Sequence, residues 1–234
     1  MKTSNRLIAL LLIAACTACG GGGSGNDVQI IDPPPTNSAQ RVIEYGINDF
    51  TGIEINGSFV TTVTEAANYR VEITIDSTEA SKLDVRRDGS NLSIGFLPGS
   101  DVRADTLRAV VQMPVLEELI LIGSNNVETS GFSGSVLRVS SNGSNVLDSA
   151  GLEFDLIMAD AFGDSLLDFT NISPAPGAHF ELSGSTTAVI NLMNSANVTG
   201  TLAGTSALSY YGSDIFFDLT LAPTASVTRL GDTR

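Results

Sequence analysis

The chain has 234 residues, 26 of them acidic and 12 basic, for a formal charge of −14, with one histidine, two cysteines and no tryptophan. That balance argues against nucleic acid or an anionic lipid surface as a partner, because both are gripped by clustered Lys and Arg. Solvation and mutual repulsion are the plain role of so much surface charge.

Residues 1–15 read as a bacterial lipoprotein signal peptide. Lys2 and Arg6 form the basic flank, and the apolar run from Leu7 to Ala15 is too short for a stable membrane-spanning helix. Leu12-Ile13-Ala14-Ala15-Cys16 resembles a lipobox, in which an aliphatic residue and small residues precede a cysteine to be lipidated. Cys19 is the alternative site, with Cys16 standing where an aliphatic residue is wanted. Each buried methylene adds roughly 0.8 kcal/mol of membrane affinity, and several acyl chains make the attachment stable. Residues 16–40 follow as the lipidated cysteine and a tether, with Gly20–Gly25 flexible and Pro33-Pro34-Pro35 a short stiff spacer. The domain over residues 41–234 then contains no cysteine, so its core and its hydrogen-bond ladders must hold it together.

The first runs of that domain alternate apolar and polar residues with period two, as strands do. Phe50 to Val63 is one such run, interrupted by a turn at Gly57. Tyr69 to Ile75 and Leu83 to Val85 are others, and Asp88-Gly89 before Asn91 marks a tight hairpin turn into Leu92–Phe96. Asp101 to Asp105 is a charged loop, Leu107 to Met113 a strand, and Pro114 punctuates the chain ahead of Leu116–Ile122.

A glycine beat follows at Gly123, Gly143, Gly163, Gly184 and Gly204, in steps of 20, 20, 21 and 20 residues. One position after it stand Ser124, Ser144, Asp164, Ser185 and Thr205, and two after it Asn125, Asn145, Ser165, Thr186 and Ser206. Four after it the chain is apolar. Eight after it a second turn residue recurs at Gly131, Gly151, Asn171 and Gly212, with Leu192 the exception. Glycine and asparagine turn a chain through positive φ at little cost. Each unit is too short to bury its own apolar face, so units must stack and share a core. The expectation is an all-β fold: a single-stranded parallel β-helix, or β-solenoid, with coils of about 20 residues and an N-terminal strand and hairpin region. A leucine-rich repeat is the rival, because Leu116-x-x-Leu119-x-Leu121 fits its opening, but that pattern does not recur and no helical half follows. Pro174-Ala175-Pro176-Gly177 is expected to bulge from one corner and to account for the 21-residue step. Ile215 to Leu221 reads as the final strand, with Pro223 and the polar tail blunting its edge.

Candidate chemistry is sparse. Asp148 and Asp168 share the offset five after the beat and are expected to stack one rung apart. Two carboxylates at that distance repel by roughly 1 kcal/mol in water and 3–4 kcal/mol at an effective dielectric of 20. A Ca²⁺ ion would relieve this, with Asp160 and Asp164 expected on the same rung as Asp168. The lower figure is tolerable on a solvated face, and the chain has no EF-hand loop or nonapeptide calcium repeat. Asp148 and Asp168 are therefore weak metal candidates, and no metal or cofactor is expected. The same acids raise the alternative of a carbohydrate-active β-helix enzyme. Arg138 is the only basic residue between Met113 and Leu221, which leaves little to neutralise an acidic substrate. His179 is read as a surface or loop-edge residue, and its sequence neighbours suggest no Ser–His–Asp arrangement. No catalytic residue is assigned. The Ser, Thr and Asn columns beside the beat either cap turns and bond along the stack or present a flat polar face to a glycan or protein ligand.

Phe50, Ile53-x-Ile55-x-Gly57-x-Phe59, the Leu92-x-Ile94 hairpin and the Gly-Ser-Asn repeats behind them resemble the putative auto-transporter adhesin, head GIN domain family, over roughly Asn48 to Gly212. The resemblance implies an exported bacterial β-solenoid. The functional expectation is a lipid-anchored binding module of the cell envelope, an adhesin without catalysis, held at the outer membrane. The alternative is a structural envelope lipoprotein facing the periplasm.

Overall fold

A computed structural model describes residues 39–234. Cys16, Cys19 and the glycine and proline stretches of the tether lie outside the described residues. The described chain is built from strands, with one 3-10 turn at Ala80–Lys82.

The repeats stack as their period demands. Each coil runs through one strand in each of two parallel sheets that face one another. One sheet carries β8 (Glu118–Gly123), β10 (Ser133–Gly143), β12 (Glu153–Gly163) and β14 (Ala175–Gly184). The other carries β9 (Asn126–Ser130), β11 (Val146–Ala150), β13 (Leu166–Asn171) and β16 (Ala207–Tyr211). A long strand, β15 (Thr187–Leu202), serves both, giving Thr187–Asn191 to the second sheet and Asn197–Leu202 to the first. It runs through the corner where Leu192 replaces the expected glycine, and the positive-φ residue there is Ser195, at φ 64°. Inward columns such as Val127, Leu147, Leu167, Ala188 and Leu208 form one continuous buried core.

The beat glycines form a file along one edge, with Gly57, Gly123, Gly143, Gly163 and Gly184 in direct register. Their φ angles run from 149° at Gly57 to 82° at Gly184, a region that side chains strain to adopt. A Cβ on Gly143 would lie 2.2 Å from the carbonyl oxygen of Gly123. Glycine is required here for clearance as well as for φ.

The 21-residue step has a different origin from the one expected. Asp148 pairs with Asp168 and Ala150 with Asn171, so the extra residue is a bulge in β13, where the Thr170 amide donates to Asp168 Oδ1 at 2.8 Å. The Pro174 segment does not bulge from the corner: Ala175 is buried and opens β14.

The order of coils in space departs from the order in sequence. The coil formed by β2 (Gly52–Gly57) and β3 (Val60–Glu65) lies between two others. On one side are β6 (Asn91–Phe96) and β7 (Leu107–Met113), and on the other β8 and β9, all parallel to it. Residues 114–117 carry the chain past the β2–β3 coil, with Leu116 buried and the Glu117 amide bonded to the Thr51 carbonyl at 2.8 Å. Beyond β6 and β7 the parallel stack ends in antiparallel strands. They are β5 (Leu83–Asp88) against β6, β4 (Arg70–Asp76) against β7, and β1 (Gln40–Tyr45) against β4. The hairpin turn at Gly89 is as expected, whereas β1 was not anticipated from the sequence. At the far end β17 (Phe216–Leu221) pairs with β15, and a further strand, β18 (Ser226–Gly231), pairs with β16.

Two outcomes test this account. Gly143→Ala should cost about 3 kcal/mol, against about 1 kcal/mol for Gly151→Ala, whose nearest obstacle is 4.0 Å away. Equal losses in urea unfolding would remove the clearance argument. Beside the charged loop, Glu79, at the start of the 3-10 turn, accepts from Lys82 Nζ at 2.8 Å and from the Arg103 amide of the loop at 3.1 Å. The Lys82 contact, helped by that amide, holds its carboxyl below the ordinary value of 4.5. A depressed carboxyl stabilises above its unfolded pKa and loses that contribution as pH falls through the folded value. Amide exchange at residues 101–105 should therefore quicken below pH 4.5 relative to the strands, and Glu79→Gln should show the quickening already at pH 7.

Candidate binding surface

The alternation of each strand sends every second side chain outward, and the stacking turns those positions into files. The two sheets therefore present two flat outward faces.

On the face of the second sheet, Asp148 and Asp168 are neighbours in register, as expected, and Glu128 precedes them in the same file. Carboxylates on adjacent strands lie about 4.8 Å apart and point the same way. Asp160 and Asp164 do not join them. Asp160 is on the other sheet, between Ser140 and Glu181, and Asp164 stands at the corner after Gly163. Among the described residues no group of three or more His, Cys, Asp or Glu side chains is positioned to hold a metal ion. One oxygen of Asp168 is engaged in the β13 bulge. A shallow depression of about 180 Å³ lies beside this file, lined by Thr62, Glu128, Asp148 and Asn171 among others.

The face of the first sheet is more varied. One file runs Glu118, Arg138, Met158, His179, Thr199, and the next runs Ile120, Ser140, Asp160, Glu181, Thr201. A third holds Ile122, Asn142, Phe162 and Ser183, and Phe162 is 65% exposed. His179 is at the surface, as one half of the expectation had it, but on strand β14 and not at a loop edge. Its Nδ1 is 2.8 Å from Thr199 Oγ1 and its Nε2 is 3.3 Å from Glu181 Oε1. The sequence carried both signals: Glu181 is two residues on, hence on the same side of the strand, and Thr199 is one coil later. Hydroxyl, imidazole and carboxylate thus meet on an open face, where they form a cross-strand polar cluster.

Arg138 borders a groove of about 340 Å³ between the crossover at 114–117 and the start of β10, with Val136, Gly134 and Phe154 along it. The carboxylate of its register neighbour Glu118 accepts instead from Asn91 Nδ2 at 2.8 Å.

The polar columns beside the beat divide by one position. Ser124, Ser144, Asp164, Ser185 and Thr205 are exposed, whereas Asn125, Asn145, Ser165, Thr186 and Ser206 are buried. The buried ones run along the stack. Asn125 Oδ1 accepts from the Phe59 amide at 3.0 Å, and Asn145 Oδ1 accepts from the Asn125 amide at 2.9 Å. Asn145 Nδ2 donates to Ser141 Oγ at 3.0 Å, and Ser165 Oγ is 2.8 Å from Ser141 Oγ. They satisfy turn amides inside the protein and are out of reach of any ligand. Asn145→Ala should cost about 1–3 kcal/mol by orphaning those groups, while Ser144→Ala should stay within about 0.5 kcal/mol. Thermal unfolding of the pair separates the two roles, and similar losses would contradict this division.

The sequence matches the family described as putative auto-transporter adhesin, head GIN domain, over residues 49–214. No curated protein matches it. Among solved structures, a putative adhesin from Bacteroides fragilis superposes with a TM-score of 0.65 at 13% identity, covering 83% of this chain and 98% of its own. A putative adhesin from Parabacteroides distasonis does so with a TM-score of 0.50 at 11% identity, covering 83% of this chain and 98% of its own. At those identities the likeness is one of fold.

Proposed function

The chain belongs to the putative auto-transporter adhesin, head GIN domain family, and from that premise we propose that it is a non-catalytic binding module of the bacterial cell envelope. In this reading the lipid on Cys16 holds it at the outer membrane, and the tether lets the solenoid stand a short way off. Cys19 is the alternative acceptor.

The observation that carries the proposal is the face of the first sheet. It is flat, mixed in chemistry and accessible, with an exposed Phe162 beside Asn142 and Ser183 and with Arg138 and His179 in a nearby file. Such a surface makes broad, shallow contact with a glycan or a protein. The acids that invite an enzymatic reading support binding better than turnover. A glycosidase sets its two carboxyl groups on either side of the scissile bond, about 5–9.5 Å apart. Here Glu128, Asp148 and Asp168 stand in one row and leave one surface in the same direction.

Four measurements test this. A glycan and protein array probed with residues 39–234 should return binders that Phe162→Ser with Arg138→Gln weakens at least tenfold without lowering the melting temperature. Turnover of a polysaccharide that Asp148→Ala and Asp168→Ala abolish would establish the enzyme instead. In cells, Cys16→Ser should release the chain from the membrane fraction and Cys19→Ser should not. Protease shaving of intact cells should cleave the domain if it meets external partners, and complete protection would favour a structural role facing the periplasm.

A further inference from the structure

The two ends of the solenoid are finished differently. At the N-terminal end the parallel stack is closed by antiparallel strands bearing charge, among them Arg86, Arg87 and Asp88 of β5. At the other end β17 and β18 each pair on one side only among the described strands. Phe217 continues the inward column of Val198, and Leu221 that of Leu202, both of which are fully buried. With no further rung above them, Phe217 is 40% and Leu221 48% exposed. Phe216, on the outward side of the same strand, is 63% exposed. The apolar residues expected to form a blunted last strand instead leave the core cut across, since the tail after β18 turns aside. There the Arg234 amide bonds to Asn191 Oδ1 at 3.1 Å and its guanidinium lies 3.8 Å over the Tyr211 ring.

Charge follows the same polarity. After Met113 and up to Glu181 the chain carries ten acids, with Arg138 the sole base, whereas from Leu182 to Ser213 there is no charged side chain at all. From Asp214 to the last residue the side chains add three acids, Asp214, Asp218 and Asp232, and two bases, Arg229 and Arg234, a net of −1. A strongly acidic protein repels its own copies, and this end is where that repulsion is least.

We propose that the β17–β18 end docks on the same end of a second copy, related by a two-fold axis. A partner must offer two strand edges at the spacing of two facing sheets, about 10 Å, and a second solenoid end does so. The two-fold operation brings β17 and β18 against strand edges of the other copy in antiparallel sense, which continues both sheets and seals the open core. A strand of six residues is about 20 Å long, so the covered end is on the order of 500 Å² per copy. The total of about 1,000 Å² sits at the lower limit for a specific interface, so the expected association is weak and reversible, in the micromolar to millimolar range.

The test is sedimentation velocity on the full chain carrying Cys16→Ser and Cys19→Ser, diluted across that range, with small-angle scattering of the associated form. The expected result is a reversible dimer about twice the length of the monomer. Phe217→Asp should weaken it at least tenfold. Because that variant touches the core, Phe216→Ser serves beside it, and it should weaken the dimer several-fold with the melting temperature unchanged. Val42→Ser, in the N-terminal edge strand β1, should leave it intact. A chain that stays monomeric throughout, a side-by-side dimer, or an assembly that Val42→Ser breaks and Phe216→Ser does not, each overturns the proposal.

Discussion

The closest constraint in the molecule is backbone on backbone. At the edge where each coil turns, the chain passes so near the coil below that the carbonyl of one glycine occupies the space a side chain of the next would need. This clearance sets the beat. Once Gly57, Gly123, Gly143, Gly163 and Gly184 are in file, the offsets of all other residues are set with them. The position two later turns inward to feed hydrogen bonds along the corner, and the position four later enters the core. A flat face follows, because one register governs both sheets.

The repeat was legible in the sequence because its requirements are local. A glycine where φ is positive, a small polar residue that caps the next turn, and strict alternation between corners all appear within one window of about 20 residues. The hairpin at Gly89 was legible for the same reason. What stayed hidden was non-local. Nothing in Gly52–Glu65 says that its neighbours are Asn91–Met113 on one side and Glu118–Ser130 on the other, because alternation specifies a strand and not its partner. The extra residue of the long step hid in β13, where Asp168 binds the bulge, while the prolines downstream offered a more visible explanation. The strands β1 and β18, at the margins, carry too little alternating apolar character to declare themselves.

The surface was legible to a smaller degree. Asp148 and Asp168 stack as their offsets required, yet the same periodicity that unites them separates Asp160, which leaves on the opposite sheet. His179 was undervalued because its partners are one coil and two residues away, a pairing visible only when period two and the coil period are applied together. The buried asparagines show the reverse error: a polar residue looks available until its one-position offset from an exposed serine turns it inside.

The interleaved placement of the first coil also bears on how the chain is assembled in time. Gly52–Glu65 is among the first segments of the domain to be made, yet the Phe59 amide is satisfied by Asn125, 66 residues downstream. Neither of its parallel neighbours exists until Asn91–Met113 and then Glu118–Ser130 have been delivered. A chain delivered from its N-terminus would hold this segment waiting through more than a third of the domain, after which the regular coils could be laid down singly, each on a template already in place.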